Sequence, residues 1–156
     1  VVHGTREVVH FNVTRCPTDP WAAQQLREAT PYCQGPRYLI RDNDDKFGKR
    51  LAAVAKGTGI KVVKIPPRSP NLNPICERFL GSVPRECLDH VIILSERQLR
   101  RILKEYVEIY FSRARPHQGM GQTMPAADSR SVRNVDGKIV AIPILGGLHH
   151  DYRWTA

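Results

Sequence analysis

Two carboxylates in unlike settings carry the chemistry of this sequence. Asp42 closes the apolar run Tyr38-Leu39-Ile40-Arg41, and Glu77 follows the helix-start signal Asn73-Pro74. The first is expected at the C-terminal lip of a strand, the second one turn into a helix. Carboxylates brought from separate elements to one point hold hard divalent cations through oxygen ligands. The same convergence serves two-metal phosphoryl transfer. Each residue type also has a structural use. An Asp at a strand end often caps the following helix, and a Glu in a first helical turn is favoured by the helix dipole. A matching third acid is not visible upstream, because no Asp or Glu precedes Glu7.

The elements that must position these residues alternate between strand and helix, which argues an α/β fold. Residues 7–13 (Glu-Val-Val-His-Phe-Asn-Val) are β-branched and aromatic and read as a strand. Gly4-Thr5-Arg6 supplies a turn before it, so Val1 and Val2 read as the remnant of a preceding antiparallel strand. Asp19-Pro20 starts a helix that runs to about Ala29. Pro31 and Gly35-Pro36 break the pattern before the strand ending at Asp42. A helix is expected from Phe47 to about Lys56, stopped by Gly57-Thr58-Gly59, and then a strand over residues 60–65. The loop 66–73, Pro-Pro-Arg-Ser-Pro-Asn-Leu-Asn, is stiffened by proline and leads to Glu77.

Further on, Ser95 and Gln98 form a capping box, with Leu94 and Leu99 as its hydrophobic staple. Leu99, Ile102, Leu103, Tyr106, Val107 and Tyr110 share one helical face. Arg97, Arg100, Arg101 and Lys104 lie off that stripe, a charged face read most simply as solvated, with DNA contact the lesser reading. Residues 138–142 form a late strand, and the tail from Gly146 is expected to be an extended appendage.

With 156 residues, the chain is long enough for one core. A net charge of +9 and a pI near 9.8 point to a polyanionic partner, nucleic acid being the commonest. No run approaches the roughly 18 apolar residues of a membrane span. Cys16, Cys33, Cys76 and Cys87 have no CxxC spacing and no paired histidines, which argues against zinc and disulfides and fits a reducing cytoplasm. The opening at Val1, without methionine and inside a structured pattern, reads as a truncated gene product.

The ordered motifs Arg41-Asp42-Asn43-Asp44-Asp45-Lys46-Phe47, Ser69-Pro70-Asn71-Leu72-Asn73-Pro74 and Glu77-Arg78-Phe79 resemble the catalytic core of DDE-type integrases and transposases. The match is closest to the retroviral-integrase-like transposases of bacterial insertion sequences. Glu86-Cys87-Leu88-Asp89 and Arg115-Pro116-His117-Gln118 are similar to further family segments. The resemblance implies a ribonuclease-H-like mixed sheet with flanking helices, lacking here its first, central strand. It divides the chain into a partial integrase core over 1–128 and a C-terminal extension over 129–156. It also implies a DNA partner, a homo-oligomer, two Mg²⁺ or Mn²⁺ ions in the intact family, and neither a membrane nor a small-molecule substrate.

Carried onto this sequence, the resemblance makes Asp42 the second acid and Glu77 the third, each holding metal. Arg68, Asn71, Asn73, Arg78 and Arg85 are the implied DNA contacts. His117 either contacts DNA or packs against a helix end, and Asp44 and Asp45 read as turn and helix-start residues rather than ligands. Two departures stand out. The family's first Asp, which bridges both ions, has no counterpart, so at most weak single-ion binding and no strand transfer are expected. The absent strand would also leave ladder edges open and stability marginal. Pro84 stands where the family usually has Lys or Arg, and inside a helix it costs on the order of 3 kcal/mol unless the helix kinks or ends. The alternative function is a non-catalytic DNA-binding or dimerisation remnant.

Overall fold

The computed structural model describes residues 1–33, 35–67, 69–126 and 137–155, the side chains of Cys33 and Pro70 excepted. The boundary expected at 128–129 falls outside the described residues. The chain forms two compact units: Val1 with Val9–Leu80, and Val2–Val8 with Gly81–Ala156.

In the first unit, Asp19-Pro20 opens helix α1 (Asp19–Ala29), where the Thr18 hydroxyl accepts from the Trp21 N–H at 3.4 Å. Proline costs no hydrogen bond in a first turn. Strand β1 (Tyr38–Arg41) leads into helix α2 (Lys49–Gly57) and back to strand β2 (Lys61–Lys64). The two strands are parallel, with Tyr38 opposite Lys61 and Arg41 opposite Lys64. Parallel pairing needs a crossover, and α2 provides it. Ala22, Ala23 and Leu26 of α1 meet Leu51, Val54 and Ala55 of α2 over Ile60, with Trp21, Leu39, Phe47 and Val62 packed around them. The i, i+3, i+4 spacing of these residues gives each helix one apolar stripe. Helix α3 (Pro74–Glu86) gives residues up to Leu80 to this unit and the rest to the second.

The second unit is built on helix α4 (Glu96–Glu105), which passes into a π-helical segment, Tyr106–Ala114. The Ser95 hydroxyl accepts from Gln98 N–H at 3.1 Å, and Gln98 Oε1 accepts from Leu94 N–H at 2.8 Å. The Ser95 half of the expected capping box is therefore present, while the Gln98 side chain reaches back to Leu94 N–H instead of the Ser95 N–H. Leu94 is 84% exposed, so the expected staple is open. Ile102, Tyr106, Val107 and Phe111 are buried along the inner face.

Strand β3 (Ile139–Ile144) pairs antiparallel with strand β4 (His149–Trp154). The tail is thus a hairpin, not the expected appendage. Its Leu145 N–H donates to the Glu105 carboxylate at 2.6 Å, and His149 stacks on Tyr110 with ring centroids 3.7 Å apart. These contacts reach back 40 residues or so, which a local pattern does not reveal.

The secondary structure is mixed α/β, as expected, but in two two-stranded sheets among the described residues. The expected strand over 7–13 does not form. A strand needs a ladder partner whatever its propensity. Here Val2 and Glu7 instead close a turn (2.8 Å), while His10 Nε2 and Asn12 Nδ2 bond the Gln25 side chain of α1. No described helix is long and apolar enough to cross a membrane.

Candidate functional site

Asp42 lies immediately beyond β1, whose end is held by Ile65 N–H donating to the Arg41 carbonyl at 2.8 Å. The loop after it is built by its neighbours. Asp44 accepts from the Lys46 N–H at 2.9 Å and pairs with Lys46 Nζ at 2.7 Å. The hydrogen bond from Lys46 holds the Asp44 carboxyl below its usual range, and the same bond raises Lys46, with the charge of Asp42 adding to it. Asp44 is accordingly a turn residue, as expected.

The structural use that competes for Asp42, capping α2, is taken by a residue 29 or more positions from that helix start. Asp19 Oδ1 accepts from the N–H groups of Gly48 and Leu51 at 3.0 Å, and Oδ2 from Arg50 at 2.9 Å. These backbone bonds, Leu51 first, hold the Asp19 carboxyl below its ordinary value against a smaller opposing effect of desolvation. Gly48 permits the approach, since a Cβ there would lie 2.9 Å from Asp19 Cγ and Oδ2.

With that role filled, the Asp42 carboxylate is exposed and has no hydrogen-bond or ion-pair partner among the described residues. Its backbone is fixed from within. Arg41, 8% exposed, donates from Nη1 to the Asp42 carbonyl at 2.9 Å and lies 5.8 Å from the Phe47 ring centroid. Arg41 Nε is buried without a partner among the described residues.

Glu77 stands in the first turn of α3, its N–H donating to the Asn73 carbonyl at 3.1 Å. Its carboxylate is also exposed and unpartnered among the described residues. Both acids belong to the first unit. Oxygen donors of this kind suit a hard cation. Among the described residues, however, no three His, Cys, Asp or Glu side chains gather closely enough to hold a metal. Among the described residues the donor type suits a hard cation, and the donor number falls short of what two ions need.

Of the expected DNA contacts, Asn71 is exposed in the single turn Pro70–Leu72, and Arg78 is exposed on α3. Asn73 is half-buried and supplies the carbonyl that starts α3. Arg85, exposed and in the second unit, lies over Gly81. Arg68 lies outside the described residues. Pro84 sits inside α3, which ends two residues later at Glu86, and it leaves the Leu80 carbonyl one turn earlier without its helical N–H partner.

The second unit holds a cluster that reading the sequence missed. Glu86 takes both Arg115 Nε (2.9 Å) and Nη2 (2.7 Å), and the Tyr106 hydroxyl donates to it at 2.9 Å. Burial above all, then the Glu86 charge, drives the Tyr106 phenol far above its usual value. His149 Nε2 meets the Glu86 carbonyl at 2.6 Å. The segments quoted around Glu86 and Arg115 for the family resemblance are therefore bonded to each other. No local spacing rule links positions 29 apart. His117 is buried, bonded to the Phe111 carbonyl at 2.9 Å and edge-on to the Phe111 ring, which is the packed alternative.

Residues 58–125 match the family model described as integrase core domain. The chain resembles an integrase core. That stretch includes Glu77, Asn71, Asn73, Arg78, Arg85, Glu86 and Arg115, and leaves Asp42 outside it. A second similarity is to an uncharacterised 39.2 kDa protein of insertion element IS476 from Xanthomonas euvesicatoria, 27% identical over 146 residues. The alignment covers 93% of this chain and 42% of that relative, so the chain spans less than half the length of the protein it matches. Both findings support the likeness to an integrase or transposase catalytic core.

Proposed function

We propose that this chain is part of a DNA transposase or integrase catalytic domain, with Asp42 and Glu77 as the second and third acids of a metal-dependent phosphoryl-transfer site. The observation that carries the reading is the state of the two carboxylates. Each is exposed and unpartnered among the described residues, and the cap that would have explained Asp42 is supplied by Asp19. With a third carboxylate supplied by a longer chain, a Mg²⁺ or Mn²⁺ pair would supply activation of the attacking oxygen and stabilisation of the leaving one. Asp42 and Glu77 would hold metal through their carboxylate oxygens. Arg68, Asn71, Asn73, Arg78 and Arg85 would hold the DNA strand, the cations through phosphates. The substrate is DNA, the setting cytoplasmic, and a homo-oligomer the working form.

Two acids do not set the spacing of two ions, so these 156 residues by themselves bind one ion weakly and do not join strands. Mn²⁺ titration followed by electron paramagnetic resonance tests the site. Asp42→Asn and Glu77→Gln should each abolish the weak binding while leaving circular dichroism unchanged. Retained binding in both variants would remove the site. Joining activity should then return only in a longer chain that supplies a third carboxylate.

A second reading, a non-catalytic DNA-binding remnant, is favoured by the absence of a three-ligand group among the described residues. Salt-sensitive DNA binding that survives Asp42→Ala and Glu77→Ala, with no ion bound, would select it.

A further inference from the structure

The solvent face of α4 carries a charge arrangement that no described residue pairs with. Arg97, Arg101 and Lys104 are exposed, and none has a hydrogen-bond or ion-pair partner among the described residues. At about 100° per residue they fall within an arc of roughly 60°. The acids of the same helix are engaged elsewhere. Glu96 binds Arg100 at 2.8 Å, and Glu105 accepts the Leu145 N–H at 2.6 Å. Along its own helix the stripe therefore has no ion-pair partner among the described residues, with Glu105 and Glu108 the remaining acids at its C-terminal end. On the inner side, Ile102, Tyr106 and Val107 are buried, which fixes how the helix is rotated and keeps the cations outward.

We propose that this face of α4 is a docking surface for the phosphate backbone of duplex DNA. From Arg97 to Lys104 the helix rises about 10.5 Å. One DNA strand presents a phosphate about every 3.4 Å along its axis, so the stripe spans about three phosphate intervals and its three cations can each meet a phosphate within that run. Contacts of this kind position a protein on DNA without reading sequence. The inference rests on the reading of the chain as a DNA-recombination domain, and it adds a surface apart from Asp42 and Glu77.

The test is fluorescence anisotropy of a labelled mixed-sequence duplex with the full 156-residue chain, titrated with salt. Each phosphate contact contributes about 0.9 to the slope of log affinity against log salt. The triple variant Arg97→Gln, Arg101→Gln, Lys104→Gln should lower that slope by about 2.7. Arg100→Gln, which removes a cation already paired with Glu96, should lower it by well under 0.9. A triple Arg97→Lys, Arg101→Lys, Lys104→Arg exchange should keep the slope. Glutamine is a good helix former, so circular dichroism should be unchanged.

A wild-type chain that binds duplex with a slope the triple glutamine variant does not change would overturn this surface and leave the Asp42–Glu77 reading standing. A wild-type chain that does not bind duplex at all would sink both. Tighter binding to anionic lipid vesicles than to duplex, with the same sensitivity to the triple variant, would overturn DNA as the partner.

Discussion

Replacing Glu86 by Gln keeps the shape of the side chain and removes its charge. In the folded second unit the Glu86 carboxylate takes two bonds from Arg115 and one from Tyr106, with the two ion-pair side chains only 23% and 22% exposed. Breaking a fully buried pair costs about 3–5 kcal/mol, because the surviving charge is left without a partner. Here water reaches about a fifth of each side chain, and the amide oxygen of Gln retains part of the bonding, so about 2 kcal/mol is expected. With a urea slope of about 1–2 kcal/mol/M for a unit of this size, the midpoint falls by about 1–2 M. The chain allows a clean reading, since its two tryptophans, Trp21 and Trp154, fall one in each unit. In a Trp21→Phe background, Trp154 fluorescence follows the second unit alone. Arg115→Lys should cost nearly as much, because an ammonium cannot make the paired bonds of the guanidinium. A midpoint unchanged within error, together with tighter DNA binding by Glu86→Gln, would show that the pair serves nucleic acid and not the fold, and would refute the reasoning.

Two further outcomes follow from the same geometry. His117 is held below its ordinary pKa of 6.5, by desolvation first and by Arg115 and Arg6, against the Phe111 carbonyl bond and Glu86. The unfolded chain then takes up the proton first, so the second unit keeps its full stability above about pH 6.5 and loses it as pH falls below that value; urea midpoints of the Trp154 signal at pH 7.5 and 5.5 should differ, and His117→Gln should flatten the difference. Gly48→Ala puts a methyl 2.9 Å from the Asp19 carboxyl, so the three-bond cap of α2 must shift, lowering the first unit's urea midpoint as read by Trp21 in a Trp154→Phe background.

What was legible in the sequence is what short-range physics controls. α1 begins at its Asp-Pro signal, α4 begins after Ser95 with the Gln98 bond in place, and β1 and β2 flank a helix stopped at Gly57. The residues beside Asp42 were also correctly read, with Asp44 serving the turn. What could not be read depends on distant partners. The segment 7–13 has every local mark of a strand, yet its polar side chains bond Gln25 of α1 instead of a ladder. The tail from Gly146 looked unstructured because its partner strand and its anchors, Glu105 and Tyr110, lie far back in the chain.

The candidate site turns on the same distinction. Strand-end position alone left Asp42 divided between helix cap and metal ligand, because both uses want a carboxylate there. Asp19 takes the cap from a different helix, and it does so through a contact that no spacing between 42 and 49 encodes. With the cap filled, the exposed Asp42 carboxylate has no hydrogen-bond or ion-pair partner among the described residues, while Arg41 holds its carbonyl through Nη1 and leaves Nε buried without a partner among them. An unpaired buried donor costs about 1–3 kcal/mol. The Arg41 bond therefore bears on where the Asp42 backbone is held, while the proposed metal role draws on the open carboxylate.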